Sequence, residues 1–458
     1  MTVLEKLSAI WKEDHLLRRV IKNSSHLFSS NVLFSGLSFL QTIVAVRLIG
    51  MTNWGLVAVI QTFASNINRL LSFRMSEVVV KHVGAALGQD KKQEAAVLVK
   101  AAGLTEALTS VLAMTVLALL TPWAARLFAK DISTAPWFLF YGLILLSNLV
   151  YETSTGVLQA SRRFDQLARV NRIQSIITFL LIAITYGIYR LAGVGLYPRL
   201  LPMILFAYVA GKTYMGVAQA VLAARALNSQ LGSGWWRVPL GTLPDKRGLA
   251  LFALNTNLNG TINVIFRDNI QLYLAWLLSP IEAGYFKTAM TLIIPITLIL
   301  DPLIVPTYTE IARTVARFEW ETTLRLLRRV TAITSGVVAA IWGFWALIGW
   351  WIIPLVYKNQ AVPVYPTLLI LLLGYGFASI FQWNRSLLLS LGKAGYPVLI
   401  SILAGAIELG LIFCLVPRHG HLMMAAILSG YFIVSIGFIS LRGLWEVRRR
   451  RLSTAAQP

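Results

Sequence analysis

The feature that most constrains this chain is a recurrence: nearly uncharged runs of about 20 residues return along almost its whole length. One such run, coiled as an α-helix, crosses a bilayer core of about 30 Å. Within lipid every backbone N–H and C=O must find its partner inside the segment, which favours helices. Hydropathy places them at 27–49, 54–73, 96–121, 136–157, 170–191 and 198–224. A second set falls at 249–278, 284–311, 328–350, 363–388, 395–416 and 421–443. Composition agrees, with 57% hydrophobic and only 13% charged residues, outside the usual range of soluble domains. The expected fold class is all-α, a polytopic integral membrane protein of about 12 transmembrane helices.

A net charge of +22 suggests nucleic acid until its placement is considered. With the amino terminus in the cytoplasm, Lys91, Lys92, Arg162, Arg163, Arg313, Arg317, Arg325, Arg328 and Arg329 all fall in or beside inner loops. The outer loops hold little beyond Arg126, Lys130, Arg190, Arg199, Lys358 and Arg418. That asymmetry follows the positive-inside rule and places both termini in the cytoplasm, with the chain in the inner (cytoplasmic) membrane. The tail "EVRRRR" then rests on anionic headgroups, so membrane lipids are partners and nucleic acid is not. No cleavable signal is expected, because a polar, basic segment precedes the first helix. Cys414 stands alone, which excludes an intrachain disulfide and a cysteine metal site.

The chain divides at "GSGWWRVPLGTLPDKRG", residues 232–248, which reads as a cytoplasmic linker. It separates an N-terminal six-helix lobe, 27–231, from a C-terminal one, 249–443. Residues 1–26 form a cytoplasmic segment and 444–458 a basic cytoplasmic tail. Sliding one lobe over the other by 229 residues sets Leu48 on Leu277, Gly55 on Gly284 and Thr62 on Thr291. Further along, Leu158 falls on Leu387 and Ser161 on Ser390. Loop lengths and charge keep step: the tight turns 50–53 and 279–283 correspond, as do the basic loops 74–95 and 312–327. An even number of helices per lobe gives both the same orientation. The pseudo-two-fold axis then runs along the membrane normal, as in secondary transporters whose site lies between two parallel repeats.

Several of these stretches resemble a known family. "VRLIGMTNWGLVAVIQTFASNINRLLSFRMSEVVVKHV", "LAWLLSPIEAGYFKTAM", "GVLQASRRF" and "LLLSLGKAGYP" are similar to helix-and-turn motifs of the polysaccharide-transporter branch of the MOP flippase superfamily, which includes the Wzx-type O-antigen flippases. The resemblance spans essentially all the expected helices and contains no invariant catalytic signature. It implies a MOP/MATE-like pair of six-helix lobes around a central cavity. It also implies passage of an undecaprenyl-diphosphate-linked oligosaccharide from the inner to the outer leaflet, alongside polysaccharide polymerase or glycosyltransferases. The helix count favours this branch over the lipid II flippases, which carry two additional helices.

Polar residues inside such helices cost roughly 2.5–3.5 kcal/mol per charge at the centre, so each needs a reason. In the seventh segment Asn255, Asn259, Asn263, Arg267 and Gln271 recur every four residues, one polar stripe on a continuous helix. Arg267 lies roughly 16 Å from the outer end, too deep for easy snorkelling. Asp268 is its neighbour but points about 100° away, so the two do not comfortably pair. Arg267 is then either part of a structural ion pair or, the favoured reading, faces a water-filled cavity, with Asp268 orienting a cation or lying against another helix. On the second helix Gln61, Ser65, Asn68, Ser72 and Ser76 share a face, and Arg69 and Arg74 sit close by as cavity lining or headgroup anchors. Arg47 falls on the family's turn motif. Lys287, Thr291 and Asp301 share one side of the eighth helix, which Pro295, Pro302 and Pro306 are expected to kink. Lys212 and Glu408 are either partners in a buried pair or separate cavity groups. A guanidinium fork matches two phosphate oxygens at once, and amide and hydroxyl stripes suit a sugar. Together these residues read as a cavity for an anionic glycan headgroup.

Other chemistry is not supported. "AGKT", 210–213, ends like a P-loop, but Phe206 stands where its first glycine belongs. His419 and His421 lack further ligands for a metal. No cofactor is expected, and the chain reads as a transporter rather than an enzyme. A membrane-embedded glycan-processing enzyme needs a large outer loop bearing charged groups, and the outer loops are short. A MATE-like or other secondary exporter of a small molecule stays open. The basic inner-loop motif of the major facilitators is absent, with "MSEVVVKHVGAALGQDKKQ" in its place.

Overall fold

A computed structural model describes residues 15–455 apart from 73–74, 193–196, 245–246, 250, 252–260 and 262–263. Arg74, Asn255, Asn259 and Asn263 therefore lie outside the described residues. Every regular element among the described residues is helical. The first half holds α1 (His15–Leu71), α2 (Lys92–Ala124), α3 (Ala135–Ser147), α4 (Tyr151–Ala160), α5 (Phe164–Ala192) and α6 (Tyr197–Leu231). The second holds α7 (Ile270–Leu277), α8 (Pro280–Leu300), α9 (Ile304–Ala316), α10 (Trp320–Tyr357), α11 (Val364–Ile380), α12 (Asn384–Ser390) and α13 (Gly395–Ala455).

Nine described spans are long and apolar enough to cross a membrane. Two of them each hold two helices: α1 folds at Gly50 (φ 77°) and α13 at Gly420 (φ 74°). Both glycines adopt the left-handed region that a Cβ disfavours, so the chain reverses there without a loop. The described spans thus account for all the expected helices but the seventh, which is described continuously only from Val264. Pro302 acts as expected, breaking the eighth helix into α8 and α9 through a 3₁₀ turn, Asp301–Leu303.

Two further breaks carry no proline or glycine. The fourth helix stops at 148–150 between α3 and α4, and the tenth at 381–383 between α11 and α12. Each exposes backbone groups that need partners. In the first, the Glu106 carboxylate accepts the N–H groups of Glu152 (2.6 Å) and Thr153 (2.8 Å). In the second, the Thr334 hydroxyl donates to the Ile380 carbonyl at 3.1 Å and the Asn384 amide to Phe381 at 2.7 Å.

The chain packs as two compact units. The first contains Met1–Gln41, Ala64–Pro122 and Ala135–Thr261, and the second Thr42–Phe63, Trp123–Thr134 and Ile262–Pro458. Each has its own apolar cluster: Val79, Leu98, Leu158 and Leu227 in the first, and Ile311, Leu327, Trp383 and Leu387 in the second. Leu98 and Leu158 stand 229 positions before Leu327 and Leu387, so the repeat read in the sequence fills equivalent sites in both clusters. In the second unit, Gly55 and Gly284 let backbones touch. A Cβ at Gly55 would run into the Pro280 carbonyl, and one at Gly284 would lie 2.6 Å from the Met51 carbonyl oxygen. Met51 and Pro280 are also 229 positions apart, so this contact is two-fold symmetric in sequence. Small residues at such crossings gain packing where lipid removes the hydrophobic drive between helices.

Candidate functional site

The site is built around the segment that leads into α7. Residues Val264–Asp268 form a π-helical turn, a geometry that widens the helix by one residue per hydrogen bond and recurs at functional positions. The Tyr273 hydroxyl donates to the Ile265 carbonyl at 2.9 Å, satisfying a backbone acceptor within the disturbed turn. Phe266 packs flat on α13 because position 405 is glycine; a Cβ there would lie 2.6 Å from the ring. This seat fixes the turn against α13 and leaves Arg267, the next residue, exposed. Arg267 makes no hydrogen bond and no ion-pair contact with any described residue.

One turn beyond Gly405, Glu408 is 2% exposed, and neither carboxylate oxygen has a hydrogen-bond partner among the described residues. Its carboxyl lies within electrostatic range of Arg267 but not in ion-pair contact. Tyr375 and Tyr431 share that neighbourhood. Glu408 lies near Arg267 within the second unit, and Lys212 belongs to the first.

Gln271, four residues after Arg267, accepts a hydrogen bond from the Thr62 hydroxyl. The adjacent Gln61 accepts from Lys287 Nζ at 2.5 Å, and that ammonium lies 4.2 Å from the centre of the Trp54 ring. The structure therefore brings Gln271 and Lys287 to neighbouring residues of α1, with Arg267 a turn away. The sequence reading named all of these except Trp54, whose role as an aromatic platform under a lysine needs the fold to appear.

The other described candidates are placed as follows within their own units. Arg47 also lies in the second unit, but its guanidinium donates to the carbonyls of Leu355 and Val356, both at 2.6 Å. Arg69 is exposed in the first unit, and Lys212 is half-buried on α6 of that unit. Asp301 is exposed in the 3₁₀ turn after α8. Asp268 is partly buried beside Arg267 and has a polar partner of its own. The π turn at 264–268 shifts the helical phase across it by about 100°, so four-residue spacing does not run through it as one α-helical face. Among the described residues no cluster of His, Cys, Asp and Glu could hold a metal ion.

No protein-family profile matches the chain. Inner membrane protein YghQ of Escherichia coli (strain K12) is 25% identical over 158 residues, 34% of this chain and 44% of that protein. The match thus spans less than half the length of that relative. Among solved structures, an inward-facing multidrug resistance MATE family transporter of the MOP superfamily gives a TM-score of 0.67 at 13% identity, covering 93% of this chain and 96% of that one. The lipid II flippase MurJ in an inward closed conformation gives 0.65 at 11% identity, with 95% and 91% covered. A mutant of the Vibrio cholerae MATE transporter VcmN gives 0.61 at 13%, with 95% and 97% covered. Helix count, the glycine reversals and this end-to-end likeness agree: the chain is a multi-pass membrane protein with the all-helical, two-lobe fold of the MOP-superfamily transporters.

Proposed function

We propose that this protein is a flippase. It moves an anionic lipid-linked glycan, of the undecaprenyl-diphosphate-linked oligosaccharide type, from the inner to the outer leaflet of the cytoplasmic membrane by alternating access. One observation carries the reading: Arg267 sits deep in an apolar segment, exposed, on a π turn held by Tyr273 and Gly405, with no hydrogen bond to a described residue. An arginine maintained at such cost suits a ligand with paired anionic oxygens. Gln271, Gln61 and Lys287 supply neighbouring amides and a second cation. The charge asymmetry of the loops supports cytoplasmic termini and hence outward delivery.

The membrane potential supplies the bias. A diphosphate carries roughly two negative charges away from a negative interior, about 4–5 kcal/mol per 100 mV if they cross the full field uncompensated. The likeness to the multidrug MATE transporter supports a second reading, export of a small molecule. An exposed arginine with no hydrogen bond or ion-pair contact among the described residues repels cationic drugs, which favours the anionic substrate.

The test is a leaflet-resolved assay of lipid-linked oligosaccharide in vesicles with and without the protein. Valinomycin and potassium gradients set the potential, at constant pH and without ATP. Flipping that follows the sign of the potential supports the reading. Flipping that ignores that sign and requires ATP contradicts it.

A further inference from the structure

The second compact unit has two corners that the 229-residue register relates to each other. At the first, the limb of α1 before Gly50 meets the end of α10. Arg47 donates to the Leu355 and Val356 carbonyls at 2.6 Å. Lys358 Nζ donates to the Arg47 carbonyl at 3.2 Å, and the Met51 N–H to Gln360 Oε1 at 3.1 Å. At the second corner, the end of α7 meets the turn that follows the π-helical segment Ala125–Ala129. There Lys130 Nζ donates to the Trp276 carbonyl at 2.6 Å.

Trp276 is the register partner of Arg47. Lys130 and Lys358 fall one position apart in that register, both have positive φ (59° and 66°), and each reaches the corresponding carbonyl. The other three bonds of the first corner have no counterpart. Trp276 packs edge-on against Phe413 at 5.5 Å instead of donating to carbonyls. Asp131, the register partner of Gln360, accepts locally from the N–H and hydroxyl of Ser133. Between the corners lies the backbone contact of Gly55 and Gly284.

We propose that the two corners do different work: the Lys130 corner is a latch that releases when this end of the bundle opens, and the Arg47 corner is a hinge that stays closed. Opening the Lys130 corner frees one carbonyl, and a lysine on a flexible stem finds water again at a helix end. Opening the Arg47 corner strips a rigid fork from two carbonyls that have no intrahelical donor, besides the Lys358 and Gln360 bonds. The proposal rests on alternating access but not on the identity of the substrate.

The experiment measures distances by spin labelling in nanodiscs, after Cys414→Ser. One labelled pair is Ser133→Cys with Ile281→Cys, across the Lys130 corner. The other is its register equivalent, Val362→Cys with Thr52→Cys, across the Arg47 corner. Each is measured alone and with Lys130→Gln, which removes the latch charge. The expected result is a second, longer distance across the Lys130 corner that grows at least about twofold in population with Lys130→Gln, beside a single distance across the Arg47 corner. Equal broadening at both corners, broadening at the Arg47 corner alone, or one unchanged distance at the Lys130 corner in both backgrounds overturns it. Because no substrate is used, failure here is distinct from failure of the flippase reading.

Discussion

Arg47 and Arg267 invite comparison. Both lie in the second compact unit and both are exposed, yet only one has its donors engaged. Arg47 reaches the end of α10, where the last carbonyls have no N–H to accept and the helix carries partial negative charge. Arg267 stands on a mid-segment π turn where the Tyr273 hydroxyl already occupies the Ile265 carbonyl. The difference teaches a rule of position. An arginine beside a helix end finds orphan acceptors; one within a helix finds the backbone carbonyls already engaged.

The largest effect that can break this comparison is Arg267→Ala. Losing two charge-assisted hydrogen bonds, each about 1.5–3 kcal/mol, predicts at least about a hundredfold loss of flipping with unchanged thermal stability. Arg267→Lys recovers only part of the activity, because a point charge cannot reproduce the fork. Arg47→Ala has the opposite profile. It strands two carbonyls, costs about 1–3 kcal/mol of stability read as a lower melting temperature, and leaves substrate affinity within about twofold.

Gly405→Ala drives a methyl into the Phe266 ring and shifts the turn that presents Arg267. Substrate affinity measured in nanodiscs falls several-fold, and adding Phe266→Leu restores part of it, a coupling absent if Gly405 only packs.

Asp131→Asn gives the smallest effect. The Ser133 donors hold the Asp131 carboxyl below the ordinary carboxylate range. Its contribution is present at neutral pH and lost as pH falls through that depressed value. A pH-stability titration of the variant therefore departs from the parent only above the acid limb, and flipping is unchanged.

Much of the scaffold could be read from the chain. Apolar runs of membrane-spanning length have no alternative to helix, and Gly55 with Gly284, matched on sequence register alone, meet in the fold. Pro302 breaks its helix as its missing N–H requires. The breaks at 148–150 and 381–383 were not legible, because neither "SNLVY" nor "IFQWN" holds a breaker. Their partners, Glu106 and Thr334, come from other helices, and tertiary hydrogen bonds leave no local pattern. The candidate site was legible in residue type but not in phase. A polar stripe at four-residue spacing assumes an unbroken α-helix, and the π turn that carries Arg267 has no sequence signature of its own. For the same reason the acceptors of Arg47, more than 300 residues away, were not legible.

The central claim is that Arg267, and not Arg47, is the cation that meets the substrate's phosphates. The most direct test is binding of undecaprenyl diphosphate to the purified protein in nanodiscs, comparing the parent, Arg267→Ala and Arg47→Ala by calorimetry, with melting temperatures taken on the same samples. The account predicts that Arg267→Ala abolishes measurable binding at an unchanged melting temperature, while Arg47→Ala binds like the parent and melts lower. Parental binding by a folded Arg267→Ala protein, or loss of binding by a folded Arg47→Ala protein, contradicts it.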